Sequence, residues 1–173
     1  AQMSIFSFHP VKTVAMGEGG AITTNDIKLA TRLRTLRNIG MTHDPASFQS
    51  RDQAFDSHGS ANPWYYEMAI LGLNYRASAI HCAIGMTQLG KLRRFVDKRS
   101  ALVRRYRERL AKLAPLIRPL PEVTWSKPAW HLFVVLIDFT AFGCKRADVM
   151  RVLYERGIGT QVHYIPVHRQ PYY

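Results

Sequence analysis

Residues 7–12, Ser-Phe-His-Pro-Val-Lys, followed by Gly17-Glu18-Gly19-Gly20, constrain this chain more than any other feature. The apolar run at 4–8 reads as a short buried strand. Pro10 then fixes its own φ and stops regular pairing, and the glycines give the backbone freedom to return. Lys12 is thereby placed in a tight turn directly after a strand. A lysine held in a partly dry pocket loses its charge readily, and its free amine condenses with an aldehyde to a Schiff base. A plainer reading of the same residues stands beside this one. Lys12 is one of 24 lysines and arginines, most of which sit solvated, and the glycines serve equally as a turn between strands.

Read in order, the segments SFHPVK (7–12), GEGGAITTND (17–26), LRNIGM (36–41), GLNYRASAIHCAIGMTQLGKL (72–92), WHLF (130–133) and GIGTQVHYIPVHRQPYY (157–173) extend this picture. Together they resemble the DegT/DnrJ/EryC1/StrS family of pyridoxal-phosphate sugar aminotransferases, along nearly the whole chain. Within it, the wording of the first and last segments is most similar to the UDP-4-amino-4,6-dideoxy-N-acetyl-altrosamine transaminases of pseudaminic acid synthesis. The resemblance implies an α/β chain of the aspartate-aminotransferase-like type, fold type I. Residues 1–90 then form the C-terminal part of the large cofactor domain, 91–120 a connecting helix and linker, and 121–173 the start of a small C-terminal domain. Family members are much longer than 173 residues, and the aspartate that pairs with their pyridine nitrogen lies upstream of the lysine strand. The chain therefore looks like a fragment truncated at both ends.

Charge and cysteine usage narrow the alternatives. The formal net charge is +12, and much of it comes from Lys91 to Lys112. There the apolar positions Leu92, Phe95, Val96, Leu102, Val103, Tyr106 and Leu110 recur at helical spacing, so the cations fall on a solvated opposite face. No RRM, KH, zinc-finger or helix-turn-helix pattern accompanies them, and nucleic-acid binding is not expected. No stretch approaches the roughly 18 uncharged apolar residues of a membrane span, and no signal peptide is visible. Cys82 and Cys144 lie in no metal-ligand spacing, and the seven histidines form no paired motif, so no metal is expected. Two isolated thiols fit a reducing cytoplasm, and Cys82, in an apolar helical pattern, reads as core.

The periodicities predict strands over 4–8 and 21–24, a helix over 27–38 ended by Gly40, and an aperiodic stretch over 41–66. A stretch that long is either functional or a mobile surface loop. The resemblance implies a projecting loop or hairpin that reaches toward a partner subunit. A helical pattern from Ser78 to about Ala114 would span roughly 55 Å, so a bend or break is expected. A buried strand over 131–139, a helix over 146–156 and a strand over 159–164 follow.

The resemblance implies a role for each site residue. Lys12 holds pyridoxal phosphate as a Schiff base, is displaced by the amine of L-glutamate, and then moves the proton between substrate and cofactor carbons. Related sugar dehydratases carry histidine there, so Lys12 favours transamination. Ser7, five residues before it, corresponds to the serine that donates to the cofactor phosphate; a buried serine bonded to its own backbone is the plainer alternative. Asn74 reaches the cofactor phosphate of the other subunit, which makes the active unit a homodimer. Arg76 suits a substrate phosphate, or equally a structural ion pair. His163 and Tyr164 lie where the small domain meets the nucleotide-sugar substrate, and His131 approaches the cleft or packs as a core histidine. The implied reaction moves an amino group from glutamate to C4 of a UDP-linked 4-keto-6-deoxy-N-acetylhexosamine. A dTDP- or GDP-linked sugar, an inactive fragment, or a basic binding module remain the alternatives.

Overall fold

A computed structural model describes residues 1–173. It divides into two units, Ala1–Asp97 and Lys98–Tyr173.

The first unit starts with β1 (Ser4–Ser7), antiparallel to β2 (Gly20–Thr23), with Ser4 opposite Thr23 and Ser7 opposite Gly20. Pairing continues past the strand ends, because Phe8 N donates to Gly19 O and Met16 N to Phe8 O, both at 2.9 Å. Helix α1 (Ile27–Arg37) follows, capped by Asp26, whose carboxylate accepts from Lys28 N at 2.9 Å and Leu29 N at 3.1 Å. Those amides have no helical carbonyl to pair with, and an aspartate just before the first turn supplies one.

Past α1, Ile39 and Gly40 take left-handed φ values of 63° and 75°, and the chain enters β3 (Met41–Thr42), antiparallel to β4 (Glu67–Met68). The stretch between them is an ordered excursion with its own small core. Phe48 and Ala54 are buried, and Phe48 meets Tyr65 edge-on at 4.8 Å between ring centroids. Glu67 clasps the excursion, accepting from Gln49 N at 2.6 Å, Ser50 N at 3.2 Å and Tyr65 Oη at 2.8 Å. The Gln49 amide, foremost among these donors, holds the Glu67 carboxyl below the usual carboxylate range. Donation to Glu67 raises the Tyr65 phenol. A carboxyl lowered in the folded state stabilises above its unfolded value, and that contribution is lost as pH falls through the lowered one. After correction for intrinsic rates, amide exchange at Gln49 and Ser50 is therefore expected to accelerate on acidification. Glu67→Gln should exchange fast there at neutral pH already; unchanged protection would leave the clasp without a role.

Residues 73–75 return to the end of α1. Leu73 N donates to Leu36 O at 2.8 Å, Tyr75 N to Arg37 O at 3.0 Å, and Ile39 N to Leu73 O at 3.1 Å. The first two occupy carbonyls that a helix end leaves unpaired. Ser78 caps α2 (Ala79–Leu89), accepting from His81 N at 3.2 Å. The long helical pattern breaks at Gly90 and Lys91, between α2 and α3 (Leu92–Leu110). Glycine is the weakest helix former here apart from proline, and the break falls on it.

In the second unit, the remainder of α3 buries Val103 and stacks Tyr106 on Phe133 at 4.8 Å. Arg99 donates to Trp130 O at 3.1 Å, and Arg107 donates to Leu120 O at 2.7 Å and pairs with Glu122 at 2.8 Å. Two of the basic residues of α3 thus tie down the chain that follows. β5 (Ile117–Pro119) pairs antiparallel with β6 (Val135–Ile137), and α4 (Arg146–Glu155) ends before Gly157 at φ 76°.

Several expectations need correction. The strand expected over 131–139 is only β6, and 159–164 forms no strand because no neighbouring edge pairs with it. β5, between Pro115 and Pro121, carries too short an apolar signal to be read from sequence. β1 is not buried: Ile5 is 75% and Phe6 48% exposed. Cys82 is exposed rather than core. One physical cause accounts for both of the last two. The accessible surface is 14343 Å², against about 8,600 Å² for a compact 19.8 kDa monomer and about 10,400 Å² for two separate compact units. The excess is apolar in good part, with Ile80 and Met86 of α2 each more than 70% exposed. These faces are patterned for burial, and nothing within residues 1–173 covers them. No helix is long and apolar enough to cross a membrane.

Candidate active site

Lys12 closes a four-residue turn. Its N–H donates to His9 O at 2.9 Å, with Pro10 at the second position, where a fixed φ suits such a turn. His9 braces the turn from inside: Val11 N lies 3.4 Å from its Nδ1, and its Nε2 lies 3.7 Å from a Glu18 carboxylate oxygen. Lys12 is half-buried and enters no ion pair, so no carboxylate holds its amine. Below the turn Val14 and Met16 are buried.

The seat for this turn is α2. A Cβ on Gly85 would stand 3.2 Å from Met16 Cβ, and one on Gly17 (φ 82°) would meet the His81 ring at 3.0 Å. Gly85 and His81 therefore set how closely the lysine turn approaches the helix. Sequence reading missed both; a glycine inside an otherwise apolar helical run was the available signal.

Ser7 ends β1 and is exposed, with His9 N a distant 3.4 Å from its Oγ. The plainer reading holds in its local backbone bond but not in burial, and the hydroxyl hydrogen is left to donate elsewhere. Asn74 bridges to Asn38, and Arg76 Nη1 donates to Asn38 Oδ1 at 2.9 Å. The partner of Arg76 is a neutral amide, so its charge stays uncompensated. The structure thus presents Lys12 and Ser7 on one hairpin, and Asn74 and Arg76 on the end of α1. His163, Tyr164 and His131 belong to the second unit. The His163 and Tyr164 rings lie 3.9 Å apart in an exposed stretch, and the His131 carbonyl accepts from Arg99 at 3.3 Å. His131 is exposed, not a core histidine. No group of three His, Cys, Asp or Glu side chains could hold a metal.

The hairpin fits one end of an aldehyde cofactor with a phosphate arm. It offers an unpaired amine and a hydroxyl with a free hydrogen. It offers nothing for a protonated ring nitrogen, since Glu18, its only carboxylate, faces His9.

All of residues 1–173 match the DegT/DnrJ/EryC1/StrS aminotransferase family. The chain belongs to this family. Its fold is accordingly that of the type I pyridoxal-phosphate transferases, present in part. Among its DegT-family relatives is the spore coat polysaccharide biosynthesis protein SpsC of Bacillus subtilis, 34% identical over 169 residues that make up 97% of this chain and 41% of SpsC. Helicobacter pylori PseC, an aminotransferase involved in the biosynthesis of pseudoaminic acid, superposes with a TM-score of 0.82 at 30% identity, covering 100% of this chain and 42% of PseC. DesI, solved in the presence of its TDP-sugar product, gives a TM-score of 0.73 at 29% identity, covering 99% of this chain and 40% of DesI. The chain thus spans about two fifths of the length of these DegT-family relatives.

Proposed function

We propose that this chain carries the cofactor lysine of a pyridoxal-phosphate-dependent nucleotide-sugar aminotransferase. The observation that supports this best is Lys12 itself: an amine without a carboxylate partner, on a proline-set turn seated by Met16 against Gly85, in a chain that matches the family throughout. When bound, the cofactor supplies an electron sink for the bond-breaking steps. Lys12 would hold it through its amine and, once released, would hold and move a proton at Nζ, a task that suits a primary amine on a long flexible stem. Ser7 donates to the cofactor phosphate, and Asn74 donates to that of the partner subunit, so two chains share each site. Arg76 takes a substrate phosphate, and His163, Tyr164 and His131 contact the sugar nucleotide.

The substrate pair that fits the end segments is L-glutamate and a UDP-linked 4-keto-6-deoxy-N-acetylhexosamine, aminated at C4, in the cytoplasm. The likeness to PseC supports this choice. A dTDP-linked sugar is the second reading, favoured by the likeness to DesI with its TDP-sugar product. Incubation with pyridoxal phosphate, glutamate and each 4-keto sugar nucleotide, followed by mass analysis of the sugar product, separates them. Amination of the UDP sugar alone is expected. Amination of the dTDP sugar alone would replace the first reading, and no amination by the dimer carrying all family segments would end both.

A further inference from the structure

A second polar cleft lies on the first unit, and no residue of the lysine hairpin lines it. One wall is α1, where Thr31, Arg34, Thr35 and Asn38 share a face at helical spacing; the other is the turn from Thr42 to Asp44. We propose that this cleft binds a phosphate-bearing ligand of the diphosphate class that nucleotide sugars carry. Its assignment to a nucleotide sugar rests on the function proposed above; its affinity for a diphosphate does not.

Four features of the cleft carry the inference. Arg34 and Arg37 enter no ion pair. The one carboxylate in the lining is turned elsewhere: Asp44 accepts from Ala46 N at 3.1 Å and Ser47 Oγ at 3.2 Å, capping the short helix at 45–47. Thr42 Oγ1 already accepts from Asp44 N at 3.1 Å, so its hydroxyl hydrogen is left to donate to a ligand oxygen. At the rim His43 lies against the exposed Tyr66 ring at 5.4 Å, an aromatic surface beside the cations on which a planar base can stack.

The plainer account of Arg34 and Arg37 is that cations near a helix C-terminus answer its dipole. Here that terminus is already satisfied by backbone. Leu73 N takes Leu36 O, Tyr75 N takes Arg37 O, and Gly40 N takes Thr35 O at 2.9 Å. The guanidiniums are therefore spare, and a planar fork of donors matches phosphate oxygens in pairs.

The test uses the full chain without pyridoxal phosphate, titrated by equilibrium dialysis with UDP, pyrophosphate and uridine. UDP and pyrophosphate are expected to bind, and uridine to bind far more weakly. R34Q/R37Q should weaken both anions by about tenfold per arginine, roughly a hundredfold together. Both arginines are exposed, so the fold should survive, which circular dichroism checks. R104Q/R105Q removes the same charge from exposed positions of α3 and should leave binding unchanged. Equal weakening by the two double variants would reduce the effect to net charge and overturn the site. Absence of UDP and pyrophosphate binding, or full binding by R34Q/R37Q, would overturn it too. Failure of the lysine reading looks different: anions would bind normally while pyridoxal phosphate left no adduct on Lys12.

Discussion

Lys12→Ala is expected to remove the visible absorbance that the chain gains with pyridoxal phosphate, and with it the adduct that borohydride fixes. The half-buried Lys12 amine lacks a carboxylate partner, so no ion pair holds it away from an incoming aldehyde. Alanine leaves the turn standing, because the turn is closed by the main-chain bond from Lys12 N to His9 O at 2.9 Å and preset by Pro10. Loss of the band is therefore loss of chemistry and not of fold, and far-ultraviolet circular dichroism should not move. In the assembled enzyme the same change should lower turnover by roughly 10²- to 10⁴-fold, the usual worth of a positioned proton carrier. Lys12→Arg should fail equally, since a guanidinium stays protonated and forms no imine at neutral pH. A retained band in either variant would move the chemistry off Lys12.

The second large effect is structural and reaches the Asn74–Arg76 patch. Gly72→Ala should cost about 3 kcal/mol or more, because the added Cβ would overlap the Gly40 amide nitrogen and the Ile39 carbonyl carbon. Both obstacles are backbone, so no rotamer change relieves them. The two segments must separate, and the bonds between Leu73 and both Leu36 and Ile39 go with them. Asn74 and Arg76 then lose their hold on Asn38. Gly159→Ala is the control: a Cβ there meets nothing within 4 Å, and the change should stay within about 0.5 kcal/mol. Denaturant midpoints measure both. Comparable midpoints for Gly72→Ala and the parent would show that the crossing of these glycines constrains nothing.

Where the sequence was legible, local chemistry decided the outcome. Asn25 and Asp26, either able to cap, before a helical run and Gly40 after it bounded α1 closely, and Pro10 with the following glycines marked the lysine turn. Lys12 and Ser7 share one hairpin, while Asn74 and Arg76 both reach Asn38. The failures were tertiary. Ile5, Phe6 and Cys82 carry a core pattern, yet nothing in these 173 residues covers them. Residues 159–164 alternate like a strand, yet a strand needs an edge to pair with, and none is offered. The excursion at 43–66 read as aperiodic because its order comes from Phe48, Ala54 and the Glu67 clasp, contacts between residues up to 18 apart. Its periodicity is absent while its packing is present. The cleft beside α1 was hidden for the same reason: the turn at 42–44 that lines it together with Arg34 and Arg37 comes from beyond the helix's end.

The most direct test of the central claim is peptide mapping after reduction. The full chain is incubated with pyridoxal phosphate at near-stoichiometric concentration, reduced with borohydride, digested and mapped by mass spectrometry. The account predicts one pyridoxyl group, on the peptide carrying Lys12, in large excess over Lys28, Lys91, Lys98, Lys112, Lys127 and Lys145. An adduct spread evenly over these lysines, or concentrated on another of them, would contradict it.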